Sequence, residues 1–254
     1  MKKKRFSLVG VALAALLLFV LAFFARLAMH RPPAVELPEP GGTESGAGVI
    51  ADASQETVRR VEVTPETVQR VIERLSRPAS YSRTLTVERF WADGSGASSV
   101  SVYAAGGWTR VDVSEEGAEA RHVITGDGRS WIWYGSEDRV FSGAAVLSAD
   151  EEQSIPTYEN ILALPTEAIA VADYRAYEGV NCIYVETASD ASGYAERFWV
   201  GVESGLLVAA ERVSGGSVVY RMSGLEVETA ESAEDAFRLP DGETLYDPQG
   251  AQQG

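Results

Sequence analysis

From Tyr81 onward apolar and polar side chains alternate with a period of two, and turn-forming residues return roughly every ten positions. A chain written this way is committed to hairpins, because each half-buried strand shows one face to a core and one to water and each Gly-containing step turns it back. A first set of strands is expected over Tyr81–Trp91, Ser98–Ala104, Trp108–Ser114, Ala120–Thr125, Ser130–Tyr134 and Arg139–Ser142. The connections are Asp93-Gly94-Ser95-Gly96, Gly106-Gly107, Glu116-Gly117, Gly126-Asp127-Gly128 and Gly135-Ser136. A second set is expected over Val171–Tyr177, Cys182–Thr187, Tyr194–Val202, Leu206–Ser214 and Ser217–Glu228, for about eleven strands in all.

Two stretches break the alternation. Thr64-Pro65-Glu66 reads as a helix start, with Thr64 as N-cap and Pro65 in the first helical position. Val68, Val71, Ile72 and Leu75 then form one apolar stripe ending near Pro78. Between Val146 and Ala170 the period is again helical: Tyr158, Ile161 and Leu162 share a face, and Pro165-Thr166-Glu167 restarts a short helix through Ile169. An uninterrupted sheet of this size curls or closes, because strand twist accumulates and open edges are hazardous. Its concave side is the apolar surface on which helical stripes can be covered. The expected class is mainly β (α+β), a curled antiparallel sheet with short helices on its concave side behind one N-terminal transmembrane helix.

That transmembrane helix is expected over Phe6–Ala25, 20 uncharged residues dominated by Leu, Val, Ala and Phe. At about 1.5 Å per residue they span roughly 30 Å, one bilayer core. Lys2, Lys3, Lys4 and Arg5 precede the run, which places the N-terminus in the cytoplasm and the rest of the chain outside. A cleaved signal peptide would need a shorter apolar region and a small-x-small site, whereas Arg26 would stand three residues before a cut after Ala28. Residues 1–30 are thus read as basic tip and anchor. Pro32, Pro33, Pro38, Pro40, Gly41 and Gly42 mark 31–60 as a solvated linker, 61–246 as the β domain, and 247–254 as a disordered tail.

Six of the 22 basic residues and none of the 37 acids lie in the first 31 positions, so the remainder carries a net charge of −21. Such a surface is repelled by phosphate backbones, and nucleic acid is excluded as a partner. Cys182, the single cysteine, lies in the apolar run Cys182-Ile183-Tyr184-Val185 and is expected to be buried. A catalytic thiol would need a histidine, and only His30 and His122 exist. No zinc spacing, phosphate loop, dinucleotide fingerprint or nucleophile elbow occurs, and no cofactor or metal is expected. Asp150-Glu151-Glu152 and Glu115-Glu116 read as solvated turns in so acidic a chain, and Asp93-Gly94-Ser95-Gly96 as a hairpin lacking the ligands of a calcium loop. Thr125-Gly126-Asp127-Gly128-Arg129-Ser130-Trp131 is similar to an Asp-box hairpin, itself a structural turn, with one residue too few before the tryptophan.

The aromatic residues point inward in part. Trp131 and Trp133 share one strand face, Phe198 alternates with Trp199, and Tyr220 with Arg221. Trp131, Trp133, Phe198 and Tyr220 are the candidate lining of an inner surface, which is either a packed core or a ligand cavity.

An opening helix, a run of strands, helices inserted mid-sheet and a second run of strands resemble the LolA/RseB superfamily of envelope proteins. Tyr81-Ser-Arg-Thr-Leu-Thr-Val87, Phe198-Trp-Val-Gly-Val-Glu-Ser-Gly-Leu-Leu207 and Phe237-Arg-Leu-Pro-Asp-Gly242 are similar to segments at matching places there. The resemblance implies an incomplete barrel whose concave side, plugged by helices, takes acyl chains in carriers and serves partner recognition in stress-sensing relatives, without enzymatic activity. The expectation is therefore a non-enzymatic binding module for lipid, lipoprotein or lipidated peptide. The alternative is an envelope-sensing protein with a packed core, acting on a membrane protein partner. The anchor counts against a shuttle, which must leave the membrane to deliver cargo.

Overall fold

Turn chemistry sets the strand order. Asp127-Gly128 and Glu178-Gly179 each hold two successive residues at positive φ (49° and 71°, 47° and 89°). That backbone matches the right-handed twist of the strands it joins, and glycine in the second place adopts it without steric cost. The computed structural model describes residues 62–136, 139–229 and 235–247. The expected tip and anchor (1–30), the linker (31–60) and the tail beyond 247 lie outside the described residues.

Eleven strands follow: β1 Ser80–Trp91, β2 Gly94–Ala105, β3 Trp108–Glu115, β4 Arg121–Gly126, β5 Arg129–Tyr134, β6 Phe141–Ala144, β7 Ile169–Tyr177, β8 Val180–Thr187, β9 Tyr194–Gly201, β10 Leu207–Ser214 and β11 Ser217–Ser223. They form one sheet in the order β6-β5-β4-β3-β2-β1-β11-β10-β9-β8-β7. Every neighbouring pair is antiparallel. Two meanders thus meet along β1 and β11, and β6 and β7 are the edges of a curled, unclosed sheet.

Short helices cover one face: α1 Val68–Glu73, α2 Ala149–Glu152, α3 Tyr158–Leu162 and a 3-10 turn over Thr166–Ala168. Val68, Val71, Ile72 and Leu75 of the α1 stripe, with Ile155 and Ile161, pack on Leu85, Val87, Val100, Ile183, Phe198 and Met222 from five strands. Burying each such side chain contributes about 1.5–3 kcal/mol. Gln69 ties α1 to α3, its Nε2 donating to the Ile161, Leu162 and Leu164 carbonyls at 3.0, 3.2 and 2.8 Å. The Leu162 carbonyl is one that the end of a helix leaves without an intrahelical partner.

The opposite face carries a second cluster of Ala105, Trp108, Ile124 and Trp133, covered by the C-terminal segment through Ala236, Phe237 and Leu239. Trp108 stacks on Tyr246 (centroids 5.6 Å, interplanar 6°) and on Trp131 (5.6 Å).

Several local expectations shift. Thr67, not Thr64, precedes α1. Pro65 leads a separate turn in which the Thr67 and Val68 amides donate to the Thr64 carbonyl at 3.1 and 2.9 Å. Gly94–Gly96 belongs to β2, paired with β1 up to Trp91↔Gly94, so only two residues make that turn. The restart at Pro165 yields a 3-10 turn, while Ser148 caps the unanticipated α2: its Oγ accepts from the Glu151 amide at 3.2 Å, and Glu151 accepts in return from the Ser148 amide at 2.9 Å. β11 ends at Ser223, and Gly224, its amide still bonded to the Val208 carbonyl at 2.8 Å, lies so close to β1 that a Cβ there would sit 2.4 Å from Leu85 Cδ2. The chain returns to the sheet only at the Ser82–Glu228 bridge.

Candidate functional site

Strand alternation carries β1, β9, β10 and β11 past the packed core to a polar rung. Val87, Phe198, Ala210 and Met222 belong to the core cluster. Two residues further along each strand, on the same face, stand Arg89, Glu196, Arg212 and Tyr220. They pair in register as Arg89↔Tyr220, Tyr220↔Arg212 and Arg212↔Glu196.

Between this rung and the loop following α2 lies a cavity of about 510 Å³. Its apolar lining is Phe198, Ala210, Ile155 and Pro156, and its polar lining includes Arg89, Glu196, Arg212 and Tyr220. A second cavity of about 460 Å³ shares Arg89 and Ser154 with the first and reaches the aromatic rings of Trp91 and Tyr134. Trp91 is 59% exposed. The two cavities adjoin through Arg89 and Ser154 at the end of the sheet where β1 turns into β2, and together make up the cleft.

Ion pairing within the cleft is uneven. Arg212 Nη2 lies 2.6 Å from Glu196 Oε1. Glu151 is held by its capping box. Arg89 has no ion-pair partner among the described residues; its Nη1 reaches Ser98 Oγ at 3.5 Å and its guanidinium stands 5.9 Å from the Tyr220 ring. The Tyr220 hydroxyl is buried with no hydrogen-bond partner among the described residues. Burial pushes that phenol up to about 12, against the opposing pull of Arg89 and Arg212.

Deeper inside, Arg83 is 6% exposed and donates from Nη1 to the Leu207 carbonyl at 2.7 Å. Asp150, expected in a solvated turn, is instead 9% exposed with Oδ1 unpartnered among the described residues. Burial raises its carboxyl to about 6, Arg83 opposing and Glu159 adding to the rise. The capping box explains the correction: Ser148 and Glu151 start a helix that turns Asp150 toward the sheet.

The four aromatic residues read from the sequence divide between the faces. Phe198 and Tyr220 line the cleft. Trp131 and Trp133 lie on the opposite face with the C-terminal segment, because Ile132 between them is the β5 residue that packs against the helix-covered core. Alternation tells which residues share a face but not which face is concave when both carry aromatic rings. Arg89 and Arg212 were missed, although each stands at the inward parity of its strand, a signal that register alone converts into a site.

On the outer face His122 Nδ1 and Asp112 Oδ1 are 2.7 Å apart, Arg110 Nε bonds both Asp112 oxygens, and the His122 ring stacks on Trp133 at 5.0 Å. Cys182 is buried on β8, with six strands between it and His122 on β4, and burial pushes its thiol up to about 11. Among the described residues there is no thiol–imidazole pair. Among the described residues no group of three or more His, Cys, Asp or Glu side chains could hold a metal, and no helix is long and apolar enough to cross a membrane.

No family model matches the chain, and no curated protein matches it. Among solved structures it is similar to MucB in complex with MucA(peri), with 15% identity, a TM-score of 0.41, and coverage of 65% of this chain and 56% of that one. The chain thus spans little more than half the length of MucB. It is similar to a LolA superfamily protein from Nitrosomonas europaea (10% identity, TM-score 0.32, 66% of this chain and 94% of that one). It is also similar to the lipoprotein LppX of Mycobacterium tuberculosis (10% identity, TM-score 0.36, 64% of this chain and 92% of that one). These are likenesses of fold.

Proposed function

We propose that this chain is a non-enzymatic binding module whose cleft takes the apolar chain of a lipid, lipoprotein or lipidated peptide. The observation that carries this reading is the cavity of about 510 Å³ between the sheet and the loop after α2, with Phe198, Ala210, Ile155 and Pro156 as its apolar wall. Its volume falls within the roughly 300–1,000 Å³ of small-molecule sites. Residues 6–25 anchor the module in the cytoplasmic membrane as a single span, with the β domain on the extracytoplasmic side at the end of the 31–60 linker. An anchored module hands its ligand to, or receives it from, a neighbour within the reach of that linker.

The test is a fatty acid carrying a photoactivatable group in its chain, added to the full-length protein in nanodiscs. Labelling should map to β9–β11 and to the loop after α2, above what empty nanodiscs take up. Labelling confined to residues 6–25 would refute the reading.

A second reading, a regulator acting on a membrane protein partner, draws on the interior below the cleft, where Leu85, Val87, Val100 and Met222 are wholly buried. It requires a stoichiometric crosslinked partner in native membranes, and the absence of one would count against it.

A further inference from the structure

Adjacent rows of the same strands treat charge differently. On the outer face Glu186, Arg197, Glu211, Arg221 and Glu88 succeed one another across β8, β9, β10, β11 and β1. Each neighbouring pair is an ion pair, at 3.5, 3.6, 3.0 and 3.5 Å in that order. Acid and base alternate to both ends, and every charge has a partner.

One residue along, the inner row reads Glu196, Arg212, Tyr220, Arg89. Tyrosine occupies the place between two arginines that a glutamate fills in the outer row. Arg212 keeps Glu196, whereas Arg89 is left without a carboxylate among the described residues. Of the acids that line the cleft beside it, Glu151 is turned back onto the Ser148 amide, Glu211 is held by Arg197 and Arg221, and Glu115 and Glu119, which line the adjoining cavity with Arg89, make no ion pair with it. The buried Tyr220 hydroxyl therefore remains an unspent donor in one cavity wall, beside the exposed Arg89 guanidinium whose one hydrogen bond is to Ser98 Oγ at 3.5 Å, above the apolar surface of Phe198 and Ala210. An unsatisfied buried hydroxyl costs stability unless something accepts its proton, and a guanidinium beside it selects an anion as the acceptor.

We propose that Arg89 and Tyr220 form a seat for the anionic head of a single-chain amphiphile whose tail lies against Phe198, Ala210, Ile155 and Pro156. This rests on the binding-module reading and adds to it the ligand's charge and polarity. The cleft orients the ligand head toward the rung and tail toward the helices. A neutral lipid of equal chain length offers weaker, uncharged acceptors to Arg89 and Tyr220 and binds more weakly. The head can be a carboxylate or a phosphate monoester, since both accept from a guanidinium and a phenol.

The experiment compares photoactivatable palmitic acid, the matched fatty alcohol and lysophosphatidate of equal chain length. Each is titrated against full-length protein in zwitterionic nanodiscs, with the labelled peptides mapped. The anionic probes should bind about tenfold more tightly than the alcohol, the size of one charge-assisted hydrogen bond. Arg89→Gln should abolish that advantage and Tyr220→Phe should reduce it, while alcohol binding stays within about twofold because the tail contacts are unchanged. Both variants should keep wild-type tryptophan emission, showing that the sheet is intact. Whichever anionic probe is the tighter, with its advantage lost in Arg89→Gln, identifies the head group. Equal binding of acid and alcohol, with label in the cleft, overturns the seat and leaves the binding-module reading standing. No label in the cleft from any probe overturns both.

Discussion

Replacing Asp150 with Asn should stabilise this protein at neutral pH. The carboxyl is 9% exposed, and its Oδ1 has no partner among the described residues. Burial is the largest influence on it, Arg83 offsets part of the cost, and the outcome is a carboxyl raised from an ordinary 3.8 to about 6. Because the folded state holds the Asp150 proton more tightly than the unfolded chain, the group's contribution is most favourable below pH 3.8 and worsens as the pH rises through 6. The difference between the two values corresponds to about 3 kcal/mol at pH 7 and above. Asparagine removes the charge at nearly the same volume. It also gives up the attraction of a carboxylate for the positive end of α2, about 0.3–1 kcal/mol. A net gain of about 2 kcal/mol at pH 7.5 is expected, shrinking toward zero or reversing at pH 4.5.

All five tryptophans lie within the β domain, so their fluorescence during urea unfolding of the full-length chain reports on that domain. Other carboxylates titrate over the same range, and only the difference between Asp150→Asn and wild type isolates this group. A difference that does not change between pH 4.5 and 7.5, or that grows as the pH falls, would refute the assignment.

Cys182 should resist a thiol reagent at pH 8 in the native protein and react fully in denaturant, since it is 1% exposed and its thiol is pushed up to about 11. Gly126→Ala should destabilise the protein by about 1–3 kcal/mol and alter its tryptophan emission, because the new Cβ would lie 2.1 Å from Trp108 Cδ2; an unchanged urea midpoint would mean that the indole does not rest on that glycine. Phe237→Ala should cost about 3–5 kcal/mol and increase proteolysis of the C-terminal segment, as the ring is wholly buried against Trp108 at 6.3 Å between centroids. Wild-type protease resistance would show that the segment is held by something other than this ring.

The strand plan is legible in the sequence because each hairpin writes its own local signal. Turn dipeptides such as Glu178-Gly179 and Gly215-Gly216 mark the reversals, and alternation marks the runs between them. The misread residues are those whose fate depends on distant parts of the chain. Asp150 looks solvated among Glu151 and Glu152 until Ser148 caps a helix that turns it inward. Trp131 and Trp133 look like cavity lining until a segment more than a hundred residues later, Ala236–Leu239, is seen to cover their face. The edge strand β6 shows the opposite case: all four of its residues are exposed, and its short length gives a sequence pattern little to work with.

Charge pairing sharpens the same lesson and bears on function. Glu88 and Arg89 are neighbours in sequence with opposite fates, because a one-residue step on a strand changes the face. Glu88 meets Arg221 outside at 3.5 Å, at the end of a row whose every charge is matched. Arg89 meets Tyr220 inside, where no acid answers it among the described residues. Periodicity predicts the two faces, whereas the mismatch appears only when four strands from two meanders are laid in register. A mismatch of that kind costs folding free energy through the buried Tyr220 hydroxyl, which is left unsatisfied, while the exposed Arg89 guanidinium beside it stays in contact with water. The outer row shows that this same set of strands accommodates complete acid–base pairing one residue away. The Tyr220 hydroxyl left unsatisfied in the inner row is the group that the proposed ligand head would answer.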